Sequence, residues 1–206
     1  MRETTHDRLR RHRLVAILRA PAPGPLDAAV ATLVEAGVRV LEVTVPTPGA
    51  LAAIARAASR YGDEVAVGGG TVTTVDEVRA LRDAGAAFVV SPHFDPAVVA
   101  AAHDAGLVAL PGALSPTEVV TAWRAAGVVK LFPVPGPRYV AELRGPLPDV
   151  PLVPTGGVRL ADVPLYLAAG AVAVGVGSPL LGDALAGGSL TALRDRAVEF
   201  VAAAQS

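Results

Sequence analysis

The sequence predicts an α/β chain of the (β/α)8 barrel class, and three observations carry that expectation. Short β-branched runs alternate with alanine-rich stretches along all 206 residues. The runs are nearly continuous in apolar residues, as parallel strands are when helices cover both faces of a sheet. Five of the alanine-rich stretches end in glycine, the residue favoured just past a helix C-terminus. No linker, low-complexity tract or charge block divides the chain, so one domain over residues 1–206 is expected, with a short N-terminal helix.

The elements follow in order. The first segment, "MRETTHDRLRRHRLVAILRA", carries five arginines before residue 14. Its apolar run is too short for a signal-peptide core, and Glu3 and Asp7 argue against a transit peptide. The expectation is a short exposed helix leading into the first strand. Strands are then expected at 13–18, 38–45, 64–70, 86–91, 106–112, 128–133, 150–157 and 171–177. The stretches at 26–37, 49–62, 75–85, 95–106 and 116–127 read as the helices between them. Sequential parallel strands joined by right-handed crossovers close naturally into a barrel. An open doubly wound sheet is the alternative. It usually carries a glycine-rich fingerprint after its first strand, where this chain has "ILRAPAPGP".

Composition narrows the chemistry. The chain is 52% hydrophobic and 18% charged, with a net charge of −1, so nothing draws it toward nucleic acid. It has no cysteine, which removes thiolate metal sites and cysteine nucleophiles. His6, His12, His93 and His103 show no ligand spacing, so neither a metal nor a cofactor is expected. No stretch approaches a membrane span. Of 18 basic residues one alone is lysine, Lys130, and it sits between Val128, Val129, Leu131 and Phe132. Arginine holds its proton in proteins, so a lone amine in an apolar run points to chemistry that needs a nucleophile.

Active sites of this barrel class lie at the carboxyl ends of the strands. That rule selects Arg19, Glu42, Thr71, the "SPH" after the fourth strand, Lys130, Phe132, "PTGG" and "VGVGS". Arg19, Glu42 and Lys130 are expected to face one mouth. Lys130 and Phe132 share a face by strand alternation. Glu42, between Leu41 and Val43, is a costly residue on a buried strand unless it is used. It can move protons for a lysine intermediate. Glu42 and Lys130 can equally form a structural ion pair. The glycines of the last two strands allow close approach of a ligand, and "SPLLGDAL" reads as a short anion-binding helix with Ser178 as N-cap and Pro179 first in the helix.

Together, "AILRA", "GVRVLEVTV", "VGGGTV", "FVVSPHFD", "LPGALSPTE", "VVKLFP", "VPTGGV" and "AVGVGSPL" resemble the 2-keto-3-deoxy-6-phosphogluconate (KDPG) and 4-hydroxy-2-oxoglutarate aldolase family, from about Val15 onward. The resemblance implies a homotrimeric (β/α)8 lyase of the Entner–Doudoroff type that forms a Schiff base with pyruvate, and the absence of cysteine fits a cytoplasmic setting. It implies that Lys130 is the imine-forming residue and Glu42 the general acid/base. By the same resemblance Thr71 and Thr155 contact substrate oxygens, Phe132 and Pro92 shape the wall, and Gly156, Gly157, Gly177 and Ser178 hold phosphate. Where many members carry an arginine, this chain has Pro46; Arg19 matches the variant in which the first strand supplies the carboxylate partner. The phosphogalactonate epimer is an alternative substrate. A metal-independent phosphosugar isomerase or synthase and a non-catalytic phosphometabolite-binding barrel are the rival readings.

Overall fold

The computed structural model describes residues 3–206, so Arg2 of the N-terminal basic run lies outside the described residues. The strands are β1 (Leu14–Leu18), β2 (Val40–Thr44), β3 (Ala66–Gly70), β4 (Phe88–Val90), β5 (Val108–Leu110), β6 (Gly112–Ala113), β7 (Val129–Leu131), β8 (Leu152–Pro154) and β9 (Val174–Val176). All pairings are parallel. One sheet has the order β5-β4-β3-β2-β1-β9, and a second has the order β6-β7-β8. Helices separate consecutive strands except β5 and β6, giving a curled parallel sheet with helices outside it. The strand expected at 106–112 is two short strands. Pro111, which has no N–H to donate, interrupts it, while its carbonyl accepts from Lys130 N at 3.0 Å. On the other side of the short sheet, Thr155 and Gly175 form a parallel bridge, and Val172 N donates to Leu152 O at 3.0 Å.

The five expected helices appear as α2 (Leu26–Glu35), α3 (Ala50–Tyr61), α4 (Val75–Asp83), α5 (Pro96–Asp104) and α6 (Pro116–Ala126). Threonine, aspartate or serine side chains at Thr74, Asp95 and Ser115 cap α4, α5 and α6 by accepting backbone N–H groups of the first turn. Next come α7 (Pro137–Arg144), α8 (Val163–Ala168), a four-residue α9 (Ser178–Leu181) and the long α10 (Leu190–Gln205).

Strand alternation sorts the core into two layers. Leu14, Ala16 and Leu18 pack outward against helices, while Val15 and Ile17 join Val40, Phe88, Val90, Leu110 and Val153 inside the curl. Phe88 is fully buried there. It fits because Gly68 opposite leaves its ring the volume a side chain would need.

The N-terminal helix α1 (Thr5–His12) is present but is not simply exposed, contrary to expectation. Leu9 is 2% exposed and belongs to the inner layer. Arg8 is buried, and its Nη2 donates to Asp63 O at 2.7 Å. The reason is the open amino end of the inner layer, which would otherwise meet water. Covering it with one leucine is worth about 2 kcal/mol.

Candidate active site

The carboxyl ends of the strands surround a cavity of about 400 Å3. A larger depression of about 510 Å3 is lined only by α2 and α3 residues, and its Asp27 and Arg56 are paired with each other. The first is the one that gathers the residues singled out from sequence and is the candidate site. Of the residues singled out from sequence, Arg19, Thr71, Pro92, Lys130, Phe132 and Thr155 line it, as do Gly156, Gly157, Gly177 and Ser178.

Strand β7 aims Lys130 inward, between Gly112 of β6 and Val153 of β8. Its side chain is 8% exposed, and Nζ lies 5.2 Å from the centroid of the Phe132 ring. An ammonium or iminium at that distance gains from the ring's π face.

Glu42 does not line the cavity with the others. It lies behind Lys130, 2% exposed, with Oε1 3.9 Å from Nζ. That oxygen has no hydrogen-bond partner among the described residues. Burial pushes the Glu42 carboxyl above the ordinary carboxylate range, with Lys130 and then Arg19 pulling it back. A carboxyl group raised in this way holds its proton more readily than an ordinary one, which suits a group that must give a proton as well as take one.

Arg19, just past β1, is exposed, and its Nη2 donates to Thr71 Oγ1 at 2.7 Å. Thr71 has φ 60°, an uncommon conformation for a β-branched residue. Backbone outliers of this kind persist where the surroundings hold them, often at working sites. Thr155 is buried, and its hydroxyl donates to Val153 O at 3.2 Å.

On the rim, Gly156 has φ 105° and Gly157 φ 71°, conformations that favour glycine. The short helix α9 is also there, but its cap is shifted. Gly177 is the N-cap and Ser178 is already the first helical residue. The Ser178 hydroxyl therefore does not close the helix end, because the chain leaves β9 directly into the turn.

Sequence reasoning missed three contributions. Ile17 enters the floor from the inner face of β1, and alternation along that strand could have found it. Leu181 and Leu185 form an apolar flank, set by the turn at Gly182 with φ 54°. The third is a buried clip. The Thr44 and Thr47 hydroxyls are 2.8 Å apart, and Thr47 Oγ1 accepts from Ala20 N at 3.2 Å. It ties the loop bearing Arg19 to the loop where Pro46 stands.

Among the described residues no group of three His, Asp or Glu side chains could hold a metal ion. Among them, too, no helix is long and apolar enough to cross a membrane.

A parallel α/β fold with a buried lysine–carboxyl pair at a cavity that Arg19 also lines has the layout of an enzyme of the lysine-dependent class. A family model described as "Aldolase: KDPG and KHG aldolase" matches residues 5–192. The chain belongs to the KDPG and KHG aldolase family, a family of carbon–carbon lyases. A probable 2-dehydro-3-deoxy-6-phosphogalactonate aldolase of Rhizobium meliloti (strain 1021) is 34% identical over 194 residues, 92% of this chain and 90% of that one. A 2-dehydro-3-deoxy-phosphogluconate aldolase of Treponema pallidum (strain Nichols) is 40% identical over 140 residues, 66% of each. A solved structure described as "Native KDPGal structure" superposes with a TM-score of 0.86 at 32% identity, covering 93% of this chain and 94% of that one.

Proposed function

We propose that this chain is an imine-forming aldolase that cleaves 2-keto-3-deoxy-6-phosphogluconate to pyruvate and glyceraldehyde 3-phosphate. By the same route it cleaves 4-hydroxy-2-oxoglutarate to pyruvate and glyoxylate. The observation that carries this is the buried pair beside the cavity, Lys130 lining it with Nζ 3.9 Å from the carboxyl of Glu42 behind. The Lys130 amine attacks the C2 ketone, and protonation by Glu42 lets water leave, giving an iminium. Glu42, now a carboxylate, takes the C4 hydroxyl proton, directly or through a water. The C3–C4 bond then breaks, its electron pair flows to the iminium nitrogen, and the aldehyde departs. The enamine takes a proton at C3, and water releases pyruvate. The iminium is the electron sink, so the scheme calls for no cofactor.

The remaining residues fall into roles around that step. Arg19 pairs with the C1 carboxylate in place of the arginine that Pro46 replaces. Thr71 and Thr155 contact substrate oxygens, Phe132 lies beside the imine and Pro92 forms the wall. Gly156, Gly157, Gly177 and Ser178 hold the phosphate. The wider reading takes residues 1–206 as one domain and a closed eight-stranded barrel, in which β5 and β6 act as one strand and the Thr155–Gly175 bridge supports closure. It also takes the protein as a cytoplasmic homotrimer.

A second reading is favoured by the 34%-identical relative named for the phosphogalactonate substrate: cleavage of that C4 epimer. Assaying both epimers with Lys130→Ala as control separates the two. Borohydride reduction in the presence of pyruvate tests the imine itself. An enzyme that turns over but leaves no pyruvate adduct on Lys130 would favour an isomerase or synthase. Failure to turn over any 2-keto-3-deoxy acid would favour a non-catalytic binding barrel.

A further inference from the structure

Strand β3 ends in three consecutive glycines, Gly68, Gly69 and Gly70, before Thr71. Glycine weakens a strand interior, and a run of three calls for a reason. None of the three has a positive φ, so the backbone here would accept any residue. What excludes a side chain is space, and a different neighbour occupies each position. A Cβ on Gly68 would meet the Phe88 ring, and one on Gly69 would meet the Leu81 side chain. Both of those are packing of apolar layers. At Gly70 the three nearest atoms are all from Glu42: Cγ at 2.6 Å, with Cδ and Oε1 closer still.

The register explains how the carboxyl arrives there. Glu42 pairs with Gly68, and Thr44 pairs with Gly70. The Glu42 side chain therefore leans two residues along β3, toward the carboxyl end of the sheet where the cavity lies. The lean brings Oε1 to 3.9 Å from Lys130 Nζ, on a strand that is not a neighbour of β2. The backbone at this point is pinned, since Val45 N donates to Gly70 O at 2.8 Å. A methyl group at position 70 could be accommodated only by moving the carboxyl.

We propose that Gly70 is a positioning residue for the lysine–carboxyl pair: its missing side chain is the slot in which the Glu42 carboxyl lies against Lys130. This deepens the aldolase reading and rests on it. Gly70 touches no reacting atom and acts through Glu42.

The test is a double-mutant cycle of Gly70→Ala and Glu42→Ala, read by aldol-cleavage kinetics and by thermal unfolding. Displacing a reacting group by about 1 Å costs on the order of 100-fold, so Gly70→Ala is expected to lower kcat about 100-fold. KM should change less than threefold, because the cavity rim is untouched. The double variant should be no slower than Glu42→Ala alone, since the slot has no second use. Truncating Glu42 empties the slot, so the double variant should also unfold at a higher temperature than Gly70→Ala. That comparison keeps the test decisive if Gly70→Ala alone fails to fold. Activity of Gly70→Ala within threefold of the parent, or effects that multiply in the double variant, would overturn the role of Gly70. So would a double variant no more stable than Gly70→Ala. Full activity of Glu42→Ala is a separate outcome, and it overturns the aldolase role of Glu42 along with the inference built on it.

Discussion

Replacing Lys130 by methionine keeps the length of the side chain and removes its charge, which isolates the electrostatic coupling to Glu42. The two groups are 3.9 Å apart, with side chains 8% and 2% exposed, so solvent screens them little. At an effective dielectric near 20, unit charges at that separation attract by about 4 kcal/mol. Burial raises the Glu42 carboxyl above its ordinary value of 4.5, and Lys130 is the larger of the two charges that oppose the rise. The folded state therefore holds this proton more tightly than the unfolded state does. The stability that follows is full below about pH 4.5 and declines as pH rises through the folded-state value. In Lys130→Met only Arg19 remains to oppose the rise, so the decline should be deeper. Urea unfolding from pH 4.5 to pH 9 should show the two proteins diverging with rising pH, by up to about 4 kcal/mol. At the acid end Glu42 is protonated in both, and what difference remains reflects the buried amine alone. Parallel curves across the range would refute the claim that the amine stabilises this carboxylate.

Other outcomes follow from the same geometry. Lys130→Arg keeps a cation but has no nucleophile, so mass spectrometry after borohydride treatment with pyruvate should show no adduct, and cleavage should fall to background. Arg19→Gln should raise KM for 2-keto acids roughly 10- to 100-fold, the worth of a charged hydrogen-bonded pair. Because the Arg19 charge lowers the Glu42 pKa, the acid limb of the kcat profile should also move to higher pH in that variant. Thr47→Val removes the acceptor for Ala20 N and the partner of Thr44, leaving buried polar groups unpaired, and should cost about 1–3 kcal/mol in denaturant unfolding. Thr47→Ser should recover most of it.

The alternation of apolar runs and glycine-ended helices made the order of elements legible, because covered parallel strands and helix C-termini each leave a local mark. The candidate site was legible for the same reason: Lys130, Arg19 and the paired glycines sit at strand ends, where the topology leads side chains to one place. What stayed hidden depends on neighbours remote in sequence. Leu9 looks like one apolar residue in a basic helix until the open end of the inner layer requires a cover. Gly70 looks like part of a flexible run until Glu42 from the next strand is seen lying across it. The break at Pro111 was visible as a residue but not as a break, since a proline at a sheet edge is tolerated. The shift of the α9 cap from Ser178 to Gly177 reflects how directly β9 runs into its turn, which no propensity of serine reports.

The apolar plug formed by Leu9, Val15, Val40 and Phe88 has a consequence for proton traffic. Among the described residues it sets apolar side chains at the amino end of the inner layer. The Glu42 carboxyl, 2% exposed, lies beside the lysine that lines the cavity, so the side on which polar atoms come near that group is the cavity side. A ligand seated in that cavity would stand between the carboxyl and bulk water, and a proton passed from it to Glu42 would have little solvent to escape into.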